Sequence, residues 1–436
     1  MTTEPALWSV LPFVVLLLAM ALLPFIHRHH WENHYPKIAI GLGSLTTFYY
    51  IFVLHNPERM VVTAIDYLGF IALIGALYII AGGIHINLTG RATPALNVSL
   101  LAIGAVLANF IGTTGASMLL IRPFLKINKD RVGPYHVVFF IFIVSNIGGA
   151  LTPIGDPPLF LGYLKGVPFF WLVTSPPVVL AWLLAIGILL GVFFIIDLRK
   201  DRLQNRAVVP APSPRVELTG APNFFWLAAI IGLVLAQKVN WLHSGGHGHA
   251  VTVGIAGAML AVAAVAHRCS SPTILRQNDF TFAPLREVAF LFAGIFATMV
   301  PALDLLEKHA GAIGITTVPQ FYWGTGLLSS VLDNAPTYLN FLTVAFGLHQ
   351  LTPDAPADMA RMLSEPALAR YLIAISISAV FFGAVTYIGN GPNFMVKSIA
   401  ESSGVRCPSF FGYVGKYAVP ILLPILILVA WLFLRL

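Results

Sequence analysis

Asp156 and Asp333 each stand among glycines, prolines, threonines and asparagines inside long apolar stretches. An ionisable side chain at membrane depth is costly and marks a site by default. Either carboxylate suits Na⁺ binding, or H⁺ transport in its buried neutral form. The same breaks offer Asn109, Thr113, Thr114 and Thr152 from the first half of the chain. Asn334, Thr337, Thr386, Asn390 and Asn393 come from the second. Hydroxyl, amide and backbone oxygens of this kind coordinate a small cation, and helix N-termini nearby attract an anion. Each aspartate also has a plainer reading. Asp156 precedes Pro157 and Pro158, the arrangement of a helix N-cap, and Asp333 suits a turn at a hairpin tip.

The composition fixes what positions these residues. Of 436 residues, 58% are hydrophobic and 10% charged, against about 25% charged in a soluble domain. That argues against a soluble enzyme, a nucleic-acid binder and a disordered chain. Two cysteines, Cys269 and Cys407, are too few for a disulfide framework. Spans of about 20 apolar residues fall at 7–26, 36–54, 64–86, 134–153, 169–196, 222–240, 250–267, 286–305, 368–388 and 410–434. The first lacks the basic leader and cleavage site of a signal peptide and reads as a retained helix. No cofactor is expected beyond Na⁺ and H⁺ as coupling ions.

Two further apolar stretches, about 95–121 and 317–346, are interrupted by Asn109-Phe110-Ile111-Gly112-Thr113-Thr114-Gly115 and by Asp333-Asn334-Ala335-Pro336-Thr337. Glycine weakens a helix and proline removes a donor, and non-helical backbone at membrane depth survives only inside protein or beside a wet cavity. Both stretches read as re-entrant hairpins. Each is followed by a broken helix, at about 134–165 and 368–402.

The two breaks align without a gap. Gly149, Ala150, Thr152, Ile154, Gly155, Pro158 and Phe160 recur as Gly383, Ala384, Thr386, Ile388, Gly389, Pro392 and Phe394, with Asp156 opposite Asn390. The chain reads as an internal duplication. A hairpin crosses no membrane, so each half crosses five times and the copies are inverted, a transporter architecture. The fold expected is an all-α polytopic membrane protein of two inverted repeats, 1–196 and 222–436, joined by a polar cytoplasmic linker, 197–221.

Charge counting orients it. Arg122, Lys126, Lys129 and Arg131, with Arg199, Lys200, Arg202, Arg206 and Arg215, fall on one side, which the positive-inside rule makes cytoplasmic. The N-terminus then lies outside, and the formal charge of +7 needs no nucleic-acid partner. Arg122, Lys165 and Lys397 suit attraction of an anion or snorkelling to the interface. His243, His247 and His249 read as a polar loop rather than a metal site.

The segment Asn146 to Pro158 resembles the matching motif of arsenite permeases and NhaD-type sodium/proton antiporters. Asp333-Asn334-Ala335-Pro336-Thr337 resembles their second hairpin motif. Both groups belong to the ion transporter superfamily, with the citrate transporters. The resemblance implies a homodimer in the bacterial inner (plasma) membrane, working by an elevator motion. It also implies Na⁺ sites carried onto Thr113, Thr114, Asn334 and Thr337, with Asp156 and Asn390 beside them. The first hairpin lacks the Asp-Asn-Thr or Ser-Asn-Thr triplet of those relatives, and Gly389-Asn390-Gly391-Pro392-Asn393 matches neither of the two forms. A branch labelled both sodium/proton antiporter and citrate transporter is closer. The expected function is ion-coupled secondary transport, with Na⁺/H⁺ exchange favoured over coupled uptake of citrate or another small oxyanion. An intramembrane aspartyl protease needs two carboxylates close together on packed spans, which a helix cap and a hairpin tip do not supply. A passive channel would show linear, uncoupled flux.

Overall fold

The computed structural model describes residues 4–90, 92–203, 215–237, 248–353 and 355–434. Arg206, His243 and His247 lie outside the described residues. Among those described, nine helices of 18 residues or more are apolar enough to cross a bilayer, so the chain is a multi-pass membrane protein.

The first half runs α1 (Leu11–Ile26), α2 (Arg28–Phe48), α3 (Pro57–Gly82), β1 (His85–Thr89), α4 (Pro94–Ile127), α5 (Pro134–Ile143), α6 (Pro157–Leu164) and α7 (Pro176–Leu203). After β2 (Arg215–Thr219) come α8 (Asn223–Ala236), α9 (Gly248–Cys269), α10 (Ala283–His309), α11 (Val318–Ser329) and α12 (Asn334–Leu348). α13 (Pro366–Phe382), α14 (Gly391–Ser402) and α15 (Leu423–Phe433) complete the chain. Proline opens many of these helices, where its missing N–H has no intrahelical partner to lose. Asn56 caps α3 by accepting from the Arg59 amide at 3.2 Å, and Thr93 caps α4 by accepting from Leu96 at 3.2 Å.

β1 and β2 pair antiparallel, His85 opposite Thr219. This ribbon departs from the all-α expectation: two five-residue segments, one in the linker, find each other and satisfy their backbone groups outside the bundle. α7 also carries its helix on to Leu203, into the segment read as linker.

α4 is two arms. Gly112 has φ +76° and ψ 156°, a backbone that side-chain-bearing residues rarely adopt. A straight helix would hold Asn97 and Asn128 about 46 Å apart. Instead Asn97 Nδ2 donates to Asn128 Oδ1 at 2.9 Å, and Asn128 Nδ2 returns a bond to Asn97 Oδ1 at 2.8 Å. The feet of this hairpin are also tied to α7. Asp197 accepts from Asn97 at 3.0 Å and from the Tyr135 hydroxyl at 2.6 Å, and it pairs with the buried Arg131 guanidinium. α11 and α12 form the second hairpin. The Phe321 and Phe341 rings pack 6.0 Å apart across its arms. Its feet meet at Tyr371, which donates to the Thr316 carbonyl at 2.7 Å and packs 5.0 Å from His349.

α3 and α10 run antiparallel and set the two ends of the molecule. At one end the Arg59 guanidinium pairs with Asp304 at 2.9 Å. Midway the Phe70 and Phe292 rings lie 4.7 Å apart. At the other end the Tyr78 hydroxyl donates to the Thr281 carbonyl at 2.8 Å. The first hairpin follows β1 at the Tyr78 end, whereas the second follows α10 at the Arg59 end. They enter from opposite ends, with their tips inward.

Candidate functional site

Both helix breaks are built alike. The chain leaves α5, crosses itself between Gly149 and Gly155, and starts α6. It leaves α13, crosses between Gly383 and Gly389, and starts α14. A Cβ on Gly155 would stand 2.0 Å from the Gly149 carbonyl oxygen, and one on Gly389 would stand 2.7 Å from that of Gly383. Thr152 Oγ1 accepts from the Gly155 amide at 3.1 Å and donates to the Asn109 carbonyl of the first hairpin tip at 2.6 Å. Thr386 Oγ1 accepts from the Gly389 amide at 3.2 Å and donates to the Ser330 carbonyl of the second tip.

The four pieces meet at Asp156, which is 1% exposed. Its Oδ1 accepts from Thr113 Oγ1 at 2.7 Å and from Asn390 Nδ2 at 3.0 Å. Its Oδ2 accepts from Asn334 Nδ2 at 2.9 Å. All three donors are neutral. The second arm of α4, α6, α12 and α14 all begin within this cluster. Four positive helix ends therefore offset the burial of one negative charge. Three accepted bonds leave the carboxylate room for a proton or a small cation.

Of the two aspartates, only Asp333 caps a helix with its side chain. Asp156 holds the N-cap position of α6 but makes no capping bond with its side chain. Asp333 does cap, accepting from the Ala335 amide at 3.0 Å, and its own carbonyl accepts from Thr337 Oγ1 at 3.0 Å. Asp333 and Thr337 thus shape the second tip, while the Asp156 carboxyl group is the one the cluster closes around. Asn109 is buried in stitching. Its Nδ2 donates to the Gly148 carbonyl at 2.7 Å and its Oδ1 accepts from Leu151 N at 2.9 Å. Asn393 Nδ2 donates to the carbonyls of Gly383 at 2.7 Å and Thr386 at 3.0 Å. Thr114 stands apart from the carboxylate, half-buried in a small apolar cavity against Leu73 and Leu77 of α3.

Three residues of the cluster escaped the reading of the sequence as site residues. Asn146 Nδ2 donates to Asn393 Oδ1 at 2.7 Å, and Asn146 Oδ1 accepts from Asn390 at 3.2 Å. Ser329 Oγ lies 2.7 Å from Asn334 Oδ1 and 2.6 Å from the Ala379 carbonyl, tying the second tip to α13. Ser145 shares a 2.7 Å hydroxyl contact with Ser117. The available signal was a polar residue flanking each break.

Lys165 is corrected as an anion candidate, since its Nζ pairs with Asp66 at 3.0 Å. Lys397 lies 3.8 Å from Glu401 and over the Tyr387 ring. His249 opens α9 as an exposed residue. No group of three His, Cys, Asp or Glu side chains suited to a metal gathers among the described residues.

An apolar multi-pass bundle holding a buried polar cluster at the meeting point of hairpin tips and helix breaks is the architecture of a membrane transporter. Residues 2–434 match the family described as "Putative citrate transport", and the chain belongs to it. It is similar to the proteins named Uncharacterized transporter Mb2703 of Mycobacterium bovis and Uncharacterized transporter Rv2684 of Mycobacterium tuberculosis. Each is 26% identical over 360 residues, covering 79% of this chain and 78% of the relative. It is also similar to the 46 kDa membrane protein of Mycobacterium leprae, 26% identical over 348 residues, or 74% and 72% of the two chains. The chain is a membrane transporter, not an enzyme.

Proposed function

We propose that this protein is an ion-coupled secondary transporter of the bacterial plasma membrane that carries citrate or a similar small carboxylate. The observation that carries the reading is Asp156, one buried carboxylate held by Thr113, Asn334 and Asn390. In this reading Asp156 takes up the coupling cation, H⁺ or Na⁺, while the helix N-termini around it receive the anionic cargo. The family description supports a carboxylate cargo.

The matched threonine bonds at the two breaks, and hairpins entering from opposite ends, support two inverted repeats, 1–196 and 222–436. The bonds around Asp156 stay within the hairpins and broken helices, while α3 and α10 pack on each other. That division supports an elevator-like displacement of the first unit against the second, in a homodimer of the kind the resemblance implies.

Na⁺/H⁺ exchange without organic cargo is the second reading. It is favoured by the neutral character of every donor to Asp156, because a cation-binding carboxylate needs no basic partner. Proteoliposomes separate the two, with citrate uptake measured against Na⁺-dependent proton flux. Coupled citrate uptake that survives Asp156→Asn overturns the assignment of Asp156. Proton flux with no carboxylate uptake replaces the first reading with the second.

A further inference from the structure

A cavity of about 770 Å³ opens at the ribbon end of the molecule, between the first hairpin, the ribbon and the end of α14. That volume lies in the range of pockets that enclose a small organic ligand. One wall carries Arg122 and Lys126 from the second arm of α4, with Lys129 from the turn that follows it. Two carboxylates also line it, Glu217 and Asp279, so the lining has three Lys or Arg against two acids. Both acids are engaged, Glu217 accepting from Asn87 at 3.2 Å and Asp279 lying 3.4 Å from Arg122. Asp279 is mostly exposed, and Arg122 Nη1 is buried without a hydrogen bond. Lys126 donates to a neutral partner, the Asn87 amide oxygen, at 2.9 Å. Lys129 is exposed. Arg122 lies nine residues from Thr113 on one helical arm, about 13 Å, so a single rigid element joins the cavity wall to the Asp156 cluster.

We propose that this cavity is an antechamber for a small multivalent carboxylate anion, deepening the carboxylate reading above, on which it rests. Lys126 and Lys129 draw the anion in. Arg122 then takes one carboxylate in place of Asp279, using the planar fork that suits carboxylates.

The test is citrate uptake kinetics in proteoliposomes for Lys126→Gln/Lys129→Gln, Arg122→Gln and Arg122→Lys. Lys200→Gln, on the same end but outside the cavity, serves as the control. The apparent KM is expected to rise roughly five- to twentyfold in the double variant and further in Arg122→Gln, with the maximal rate held. Arg122→Lys should fall between, and Lys200→Gln should match wild type. An unchanged KM in the lysine double variant, or a fall in maximal rate alone across the set, overturns the antechamber while leaving the function standing. Absence of carboxylate uptake by the wild type overturns the function itself. Should Arg122→Gln fail to fold, the exposed lysine pair still decides the matter.

Discussion

Asn334 donates through Nδ2 to Oδ2 of Asp156 at 2.9 Å, across 178 residues of chain. The bond joins a hairpin tip of one half to a helix break of the other, and Asn390 repeats the junction from the second break. Removing the charge without the shape therefore tests the centre directly. Asp156→Asn is expected to fold and insert normally while coupled transport is lost, because an ionisable group at membrane depth marks the transport pathway. Uptake in proteoliposomes, with thermal unfolding in detergent as the control for folding, measures both.

The second aspartate should behave differently. Asp333→Asn keeps an N-cap and should retain transport, whereas Asp333→Ala should cost about 1 kcal/mol of stability. Thermal unfolding of the two variants in detergent, beside their uptake rates, distinguishes a capping residue from a charge carrier.

Thr113→Val and Asn334→Ala each remove one donor to a buried carboxylate. Such a loss costs about 1–3 kcal/mol. Each bond favours the ionised carboxylate, so its loss is expected to make Asp156 hold H⁺ more readily, and a lower half-saturating H⁺ concentration for uptake reports it.

At the crossings, Gly155→Ala and Gly389→Ala force a Cβ to within 2.0 Å and 2.7 Å of a carbonyl oxygen. Both should reduce the folded yield sharply. Gly187→Ala in α7 has nothing within 4 Å of its new Cβ and should be neutral or stabilising by up to about 1 kcal/mol. Size-exclusion profiles of the three purified variants provide the comparison.

The cysteines probe the ribbon end. Cys269 is exposed, whereas burial pushes the half-buried Cys407 thiol up to about 11. Only the thiolate reacts, so maleimide at pH 8 should modify Cys269 well before Cys407. The Cys407 rate should climb about tenfold per pH unit until pH approaches 11. An impermeant maleimide added to cells should leave Cys269 unmodified if the ribbon end is cytoplasmic.

Much of this was legible beforehand because glycine, proline and asparagine in apolar runs have few uses. Gly112, Gly155 and Gly389 marked the turns and crossings, and the gapless match between the breaks placed Asp156 opposite Asn390. Less legible was which aspartate would face the cluster. Both precede helices, and the choice rests on whether the side chain folds onto the amide two residues on, as Asp333 does with Ala335, or reaches Thr113 across the break. The ribbon was hidden because His85–Thr89 and Arg215–Thr219 are short and pair across more than a hundred residues. Asn146 and Ser329 were hidden because their roles depend on partners from other helices.

The paired amides of Asn97 and Asn128, locked to Asp197 of α7, have a mechanical consequence. A beam clamped at its base bends only at its free end. The first hairpin cannot splay from its feet without breaking several buried polar contacts together, so any gate it forms must work at Gly112, and any larger excursion must drag α7 along as cargo of its own.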